Sequence, residues 1–251
     1  MTATQNFDIE ASCRQPTNCL AEVTAVVLAG GLGTRLRPVF ADRPKVLAEI
    51  HGRPFLKYLL DQLIGVGIGN VVLCTGYLSH QVREVIGDCY RDLEIAYSAE
   101  STPLGTGGAL RLALPKLQSD PVLVLNGDSY CAASLELFWA FHRARRAAAT
   151  LLVAQNCDAD RFGQVTLGTG HEVIRFREKG TTSEPRLINA GMYLIQRSLI
   201  SEIPLGLQIS LEREVFPSWI GRGFFGCATD AKFLDIGTPE SYAAAEAFFE
   251  H

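Results

Sequence analysis

A short apolar run, Thr24-Ala-Val-Val-Leu-Ala29, leads directly into a glycine-rich segment, Gly30-Gly31-Leu-Gly33. Apolar, β-branched runs of this length are typical of strands that are buried on both faces. Glycines directly after such a strand let the backbone approach a ligand closely and turn its N–H groups towards an anion. Ligands of open α/β sheets bind at this edge, so the pattern predicts a parallel sheet with an anion site after its first strand.

The rest of the chain supports this interpretation, because apolar runs alternate with segments of helical periodicity. The predicted strands of the first part are Thr24–Ala29, Asn70–Cys74, Glu94–Tyr97, Pro121–Leu125 and Thr150–Ala154, and the predicted helices are Phe55–Leu63, Ser79–Ile86, Thr106–Leu114 and Ser134–Arg146. Such alternation indicates βαβ units with right-handed crossovers. The later part predicts a hairpin at Gly163–Leu167 and Val173–Phe176, strands at Ile188–Ile195, Gly223–Ala228 and Lys232–Asp235, and helices at Ser210–Ile220 and Pro239–Phe249. The predicted fold class is α/β: a Rossmann-like, three-layer fold with a mostly parallel mixed sheet and helices on both faces.

Composition narrows the class of protein. A formal net charge of -4 and a pI near 5.8 give no support for a nucleic-acid or anionic-membrane partner. The seven cysteines form no C-x-x-C pair, which argues against disulfides or a structural zinc site and favours a reducing cytosol. The first residues resemble no signal peptide, and no apolar run reaches the length of a membrane span. We expect residues 1–22 to be a poorly ordered extension and residues 23–251 to form one domain.

Three known phosphate-binding motifs can be tested against the glycine segment. The dinucleotide pattern G-x-G-x-x-G fails because its last position is Leu36, and neither the Walker pattern nor the protein-kinase set is present. The pattern that fits is G-x-G-T-R followed by Pro-Lys, here Gly31-Leu-Gly-Thr-Arg35 and Pro44-Lys45. Arg35 can fork two phosphate oxygens, and Lys45 can act as a mobile point charge on a triphosphate.

With these residues, and with phrases such as Ile188-Asn-Ala-Gly191 and Phe233-Leu-Asp-Ile-Gly237, the chain from about Val23 resembles the sugar-1-phosphate nucleotidyltransferase family. The resemblance implies a nucleotidyltransferase fold and a Mg²⁺-dependent reaction that joins a nucleoside triphosphate to a sugar 1-phosphate and releases pyrophosphate. Within the family the chain is most similar to the D-glycero-α-D-manno-heptose 1-phosphate guanylyltransferases, which implies GTP and that heptose phosphate. UTP with N-acetylmuramate 1-phosphate, GTP with mannose 1-phosphate, and a non-catalytic regulatory subunit stay open. The family often forms homodimers, which favours a dimer here.

The resemblance also assigns roles to individual residues. Asp128, in Asn126-Gly127-Asp128 after a buried strand, and Asp235, after a late strand, would bind the metal, since Mg²⁺ prefers carboxylate and phosphate oxygens. Arg35, Lys45 and Lys179 would be the catalytic cations. The nucleotide contacts would be Leu28, Ala29, Gly30, Gly31, Gly33, Thr34, Glu100, Pro103, Gly105 and Thr106. The sugar contacts would be Gly127, Glu178, Asn189 and Gly191.

Glu100 bears on the choice of base. A carboxylate offers two acceptors, and guanine presents two adjacent donors, the N1–H and the N2 amine. Uracil offers only one N–H in a comparable position. One residue therefore favours GTP as a hypothesis. For Gly108, in the same segment, ligand approach and close helix packing remain equally good interpretations.

Overall fold

A computed structural model describes residues 20–31, 33, 43–156, 162–178 and 186–250. Its strands are β1 Thr24–Leu28, β2 Glu49–Ile50, β3 Arg53–Pro54, β4 Asn70–Thr75, β5 Cys89–Tyr90, β6 Leu93–Ala99, β7 Val122–Asn126, β8 Ser129–Cys131, β9 Ala149–Asn156, β10 Gly163–Leu167, β11 Val173–Glu178, β12 Arg186–Ile195, β13 Phe224–Thr229 and β14 Phe233–Asp235. Its α-helices are α1 Phe55–Gly65, α2 Ser79–Ile86, α3 Gly105–Ala113, α4 Leu135–Arg145, α5 Arg197–Ser201, α6 Phe216–Trp219, α7 Pro239–Ala243 and α8 Ala245–Phe248. Short 3-10 turns cover Lys45–Leu47 and Leu114–Lys116, and a π-helical turn covers Leu211–Val215.

The main sheet has a parallel centre. Strands β6, β4, β1 and β7 pair in that order and run parallel. Beyond β7 the long strand β12 runs antiparallel and joins the hairpin β10–β11 and the parallel pair β9–β13 to the sheet. The predicted α/β class with a mixed, mostly parallel centre is confirmed, and the antiparallel part corresponds to the second half of the chain.

Both faces of this sheet are covered, which makes three layers. Alternate residues of β1 serve the two sides, since Ala25 and Val27 join one buried cluster and Val26 joins the other. The first cluster includes side chains of α1, α2 and α4, and the second includes side chains of α3, α5 and α6. Strands with two apolar faces are what a sheet between helical layers requires. None of the described helices is long and apolar enough to cross a bilayer.

Near each end of the chain the structure differs from the prediction. Leu20 is buried at 4% exposure in the first cluster, and its carbonyl accepts a hydrogen bond from the amide of Val23, so the folded part includes residues before Val23. The closing helix predicted at Pro239–Phe249 is interrupted at Ala244 and forms two short helices. Phe249 then packs on Tyr58 at 4.1 Å between ring centroids, which anchors the last turn on α1.

The stability of the fold depends on pH through a buried titratable side chain, His142. His142 on α4 is 3% exposed, and its Nδ1 lies 2.8 Å from the hydroxyl of Thr150 on β9. Burial, assisted by the charge of Arg143, lowers the pKa of His142 from 6.5 to about 4. The folded protein therefore holds this imidazole neutral at pH values where the unfolded chain binds a proton.

We expect the free energy of unfolding to fall as the pH drops from about 6.5 towards about 4, by up to about 3 kcal/mol from this histidine. Denaturant unfolding at several pH values should show a steeper loss for the wild type than for His142→Asn. The asparagine keeps a polar partner for Thr150 but does not titrate. Parallel pH curves for the two proteins would contradict the assignment.

Candidate active site

The carboxyl ends of β1, β6 and β7 open into one cavity of about 340 Å³. It is lined by Leu28, Ala29, Gly30, Gly31, Lys45, Val46, Glu100, Pro103, Gly105, Thr106, Ala109, Asn126, Asp128, Gln208 and Glu212. Leu28 to Gly31 thus come together with Glu100, Pro103 and the first residues of α3, and with Lys45 and Asp128, whereas Gly33 is not among the lining residues. This juxtaposition follows from topology, because parallel strands bring their following loops to one edge.

Hydrogen bonds from the neighbouring strands hold the glycine segment. The amide of Ala29 donates to the carbonyl of Cys74 at 2.8 Å, and the amide of Gly127 donates to the carbonyl of Leu28 at 2.9 Å. A Cβ on Gly31 would meet nothing within 4 Å, so this glycine lies open to the cavity. Gly33 has φ +58°, in the left-handed region that favours glycine, and lies close to Lys45.

Two lining residues of the cavity, Lys45 and Asp128, form an ion pair. Lys45 is presented by the 3-10 turn after Pro44, and its Nζ lies 2.8 Å from Oδ2 of Asp128. The lysine side chain is 11% exposed and the aspartate side chain 41% exposed. A nearly buried ammonium needs such a partner, and the more exposed carboxylate keeps oxygens available to the cavity.

Asp235 lies directly beside Asp128 in the backbone. Strand β14 runs antiparallel to β8, with Asp235 opposite Ser129, and the amide of Ile236 donates to the carbonyl of Asp128 at 2.9 Å. Oδ1 of Asp235 accepts a hydrogen bond from the amide of Gly237 at 2.9 Å. The described residues include no cluster of three or more metal-binding side chains. Asp128 lines the cavity and Asp235 is not among its lining residues, but the two backbones are adjacent. One or two carboxylates fit Mg²⁺, which completes its coordination shell with water and substrate phosphates.

Glu100 lies at another end of the cavity, between two glycines. Its Oε2 accepts a hydrogen bond from the amide of Leu104 at 3.0 Å. Its Oε1 would lie only 3.0 Å from a Cβ on Gly30 and 2.7 Å from a Cβ on Gly76. Burial raises the pKa of Glu100, and the Leu104 amide acts in the opposite direction. The half-buried carboxylate therefore lies in a narrow slot between Gly30 and Gly76, and it keeps acceptor capacity for a ligand.

The glycines at the start of α3 pack against a distant segment of backbone, residues 207–209. The amide of Gly107 donates to the carbonyl of Ile209 at 2.8 Å, and the amide of Ile209 donates to the carbonyl of Leu104 at 2.8 Å. A Cβ on Gly105 would lie 2.5 Å from the carbonyl oxygen of Ile209, and one on Gly108 would collide with the carbonyl oxygen of Leu207. Close helix packing is thus the role that the structure gives Gly108.

The predicted sugar residues lie around β7 and β12 rather than in the cavity lining. The amide oxygen of Asn189 accepts from the amide of Gly191, and its Nδ2 donates to the hydroxyl of Tyr193, both at 2.8 Å. Gly191 has φ +72°, and a Cβ there would collide with Oγ of Ser129. Gly127 packs on β1, where a Cβ would lie 2.7 Å from the carbonyl oxygen of Leu28. The predicted sugar contacts of these three residues stay predictions.

Some predicted residues lie outside the described part of the chain, namely Thr34, Arg35, Lys179 and the side chain of Glu178. Other lining residues were not predicted, namely Val46, Ala109, Asn126, Gln208 and Glu212. Asn126 directly precedes the predicted Gly127-Asp128 pair, so its position was a usable signal. Gln208 and Glu212 are about one hundred residues from the loops that they join, and nothing local in the sequence indicates that contact.

Comparisons with known proteins identify the family of the chain. The family model described as nucleotidyl transferase matches residues 24–251. The D-glycero-alpha-D-manno-heptose 1-phosphate guanylyltransferase of Aneurinibacillus thermoaerophilus is 35% identical, over 90% of this chain and 98% of its own length. The mannose-1-phosphate guanylyltransferase of Mycobacterium tuberculosis is 38% identical over 90% of this chain, which spans 64% of that relative.

Solved structures also match most of this chain. HddC from Yersinia pseudotuberculosis matches with a TM-score of 0.82 at 30% identity, covering 91% of this chain and all of that chain. The same protein in complex with GMP-PN matches with a TM-score of 0.80 at 31% identity and the same coverage. The fold and the cavity define a nucleotide-dependent transferase of the α/β class. The chain belongs to the nucleotidyl transferase family.

We expect Gly105→Ala to destabilise the protein more than Gly52→Ala does. Both glycines have φ near +70°, but a Cβ on Gly52 meets nothing within 4 Å, whereas one on Gly105 meets the Ile209 carbonyl. Backbone strain alone costs about 1–2 kcal/mol, and the collision should add about 1–3 kcal/mol at Gly105. Denaturant unfolding of both variants measures the difference. Equal losses of unfolding free energy in the two variants would show that residues 207–209 move away from the added Cβ without cost.

Proposed function

We propose that this chain transfers GMP from GTP to a sugar 1-phosphate, with release of pyrophosphate, and that D-glycero-α-D-manno-heptose 1-phosphate is the acceptor. The observation that carries the proposal is one cavity that holds Glu100 in a slot and the Lys45–Asp128 pair beside the glycine segment. A guanine ring, a triphosphate and a metal each find a chemically suitable partner there. The relative from Aneurinibacillus thermoaerophilus, matched over nearly its whole length, supports the heptose acceptor.

The reaction needs little covalent chemistry from the protein. A phosphate oxygen of the sugar 1-phosphate attacks the α-phosphorus of GTP, and the bond from that phosphorus to the bridging oxygen of pyrophosphate breaks. Negative charge crowds the centre throughout, so positioning and charge neutralisation lower the barrier. Lys45 supplies one positive charge at this point. Arg35 and Lys179 are proposed to supply two more, on the triphosphate and on the incoming sugar phosphate.

Asp128 and Asp235 are the residues that would hold Mg²⁺. When bound, Mg²⁺ neutralises phosphate oxygens and favours departure of pyrophosphate. Asp128 also fixes Lys45 through the 2.8 Å contact, so the same carboxylate positions the ammonium and offers oxygens to the metal. Gly30 and Gly31 line the same cavity, and we propose that their backbone amides donate hydrogen bonds to the phosphates.

Mannose 1-phosphate is the second candidate acceptor, because the mannose-1-phosphate guanylyltransferase of Mycobacterium tuberculosis is 38% identical. The chain spans 64% of that relative, so the match supports the nucleotidyl-transfer half of the assignment more than the whole activity. We also propose that the chain forms a homodimer, as the family resemblance implies. From the cysteine usage we propose that it lies in the cytosol. Light scattering of the purified protein tests the dimer.

Pyrophosphate release with Mg²⁺ tests the proposal directly. GTP, UTP, ATP, CTP and dTTP should be offered against sugar 1-phosphates that include D-glycero-α-D-manno-heptose, mannose and N-acetylmuramate. We expect GTP with the heptose phosphate to give the highest kcat/KM, and Asp128→Asn to lower the rate by roughly a hundredfold or more while the fold persists. Best turnover with UTP would refute the base assignment. Bound GTP without turnover on any sugar would favour a regulatory subunit.

The base assignment rests on Glu100, so we expect Glu100→Gln to lower kcat/KM for GTP by about tenfold or more and to change that for UTP much less. The glutamine amide would place a donor against a guanine donor, and hydrogen bonds to charged groups contribute about 1.5–3 kcal/mol. Steady-state kinetics with both nucleotides measures the ratio. Glu94→Gln on the exposed face of β6 is the matched control. An unchanged GTP-to-UTP ratio would contradict the role.

A further inference from the structure

Glu212 is a carboxylate in the cavity lining to which the proposed reaction has given no role. It lies in the π-helical turn Leu211–Val215, which begins at Ser210. Single π-helical turns are rare and occur often at functional sites, because they re-aim a side chain that an α-helical turn would point elsewhere. A carboxylate in a cavity for two anionic substrates is unfavourable unless it meets hydrogen-bond donors.

In the described part of the chain, hydrogen-bond donors contact one oxygen of this carboxylate. Oε2 accepts hydrogen bonds from the hydroxyl of Thr106 at 2.8 Å and from the hydroxyl of Ser210 at 2.9 Å. The Thr106 hydroxyl in turn accepts from the amide of Leu211 at 2.8 Å. Among the described residues no donor is assigned to Oε1 of Glu212, and the residue is half-buried. This four-residue network fixes the carboxylate and leaves Oε1 as acceptor capacity for a ligand.

The position of Glu212 indicates which part of the ligands it meets. The slot of Glu100 suits the N–H donors of a base, and the Lys45–Asp128 pair suits phosphates and metal. The π-helical turn that carries Glu212 lies beside Tyr193, since Phe216, which directly follows this turn, packs on the Tyr193 ring at 5.0 Å between centroids. The Tyr193 hydroxyl accepts from Nδ2 of Asn189 on β12 and lies 3.5 Å from Oδ1 of Asn126 on β7. Glu212 is therefore on the β7–β12 side, where the sugar residues are predicted.

We propose that Glu212 is a specificity-determining residue that accepts a hydrogen bond from a ring hydroxyl of the acceptor sugar through Oε1. The proposal rests on the proposed function, because it needs a sugar 1-phosphate in the cavity. A hydroxyl is the donor that a sugar offers, and a site built to accept one rejects analogues that lack it. Phosphate oxygens carry no proton to donate at neutral pH and would be repelled by the carboxylate.

The test is Glu212→Gln, with initial rates measured while each substrate is varied at saturation of the other. The glutamine oxygen can still accept from Thr106 and Ser210, while its amide replaces the free acceptor by a donor. We expect KM for the sugar 1-phosphate to rise about tenfold or more and KM for GTP to change less than about twofold. Acceptors in which single hydroxyls are replaced by hydrogen should identify the contact. The wild type should discriminate against one of them, and the variant should not.

Two matched variants separate recognition from structure. Glu214→Gln removes the same charge two residues away, where the carboxylate accepts only from the Ser210 amide among the bonds described, and should leave both KM values unchanged. Ser210→Ala removes one donor to Oε2 and should lower the thermal midpoint without erasing discrimination between acceptors. Should Glu212→Gln fail to fold, Glu212→Asp, which keeps the charge and shortens its reach, must show the same sugar-specific rise.

An unchanged sugar KM in a folded Glu212→Gln protein would overturn the proposal. So would a rise in KM for GTP with lost discrimination against 2′- or 3′-deoxy-GTP, because Glu212 would then bind the ribose. Failure of the proposed function looks different. In that case the wild type itself releases no pyrophosphate with any sugar 1-phosphate, whatever residue stands at position 212.

Discussion

The position of β1 between β4 and β7 governs the site. Residues Leu28, Cys74 and Asn126 stand level in the two parallel pairings, so the three loops that follow leave the sheet at the same height. The hydrogen bonds from Ala29 to β4 and from Gly127 to β1 extend this register beyond the strands. Because the side-chain period of a strand is two, a slip of one residue would exchange the two buried faces of β1. The fixed register therefore places the glycine segment and Asp128 side by side.

Elements with clear periodicity could be predicted from the sequence. The segments Asn70–Cys74 and Ser79–Ile86 were located closely, because apolar runs bounded by glycine and amphipathic turns are local signals. The segment Ser210–Ile220 was predicted as one helix, but it divides into a π-helical turn and α6. Pro217 lacks the N–H that a continuous helix would use, and the carboxylate of Glu212 bonds across the chain to Thr106. That contact is tertiary, so no local pattern reveals it.

The glycines show why residue type alone could not assign the site. The sequence predicted that glycines in this fold admit a ligand, and Gly31 does lie open to the cavity. At Gly105, Gly127 and Gly191 the missing side chain also lets another part of the protein approach, since a Cβ on each would collide with a carbonyl or hydroxyl oxygen. Both uses need a missing side chain. Only the three-dimensional arrangement distinguishes a glycine that faces a ligand from one that lets two backbones meet.

The segment Leu104–Thr106 connects Glu100 and Glu212, the two carboxylates for which we propose roles in substrate selectivity. The amide of Leu104 fixes Glu100, and the hydroxyl of Thr106 fixes Glu212, so one short segment holds both carboxylates. The Gly105 backbone between them packs against the Ile209 carbonyl, which a Cβ would approach to 2.5 Å, and the amide of Ile209 donates to the carbonyl of Leu104. On the roles proposed for Glu100 and Glu212, recognition of the base and recognition of the sugar would share this support. Residues coupled through a shared stretch of backbone are not energetically independent, so substitutions at Glu100 and Glu212 should combine non-additively, unlike substitutions at distant sites. The proposed selectivity for the two substrates would then depend on the turn as well as on the two carboxylates.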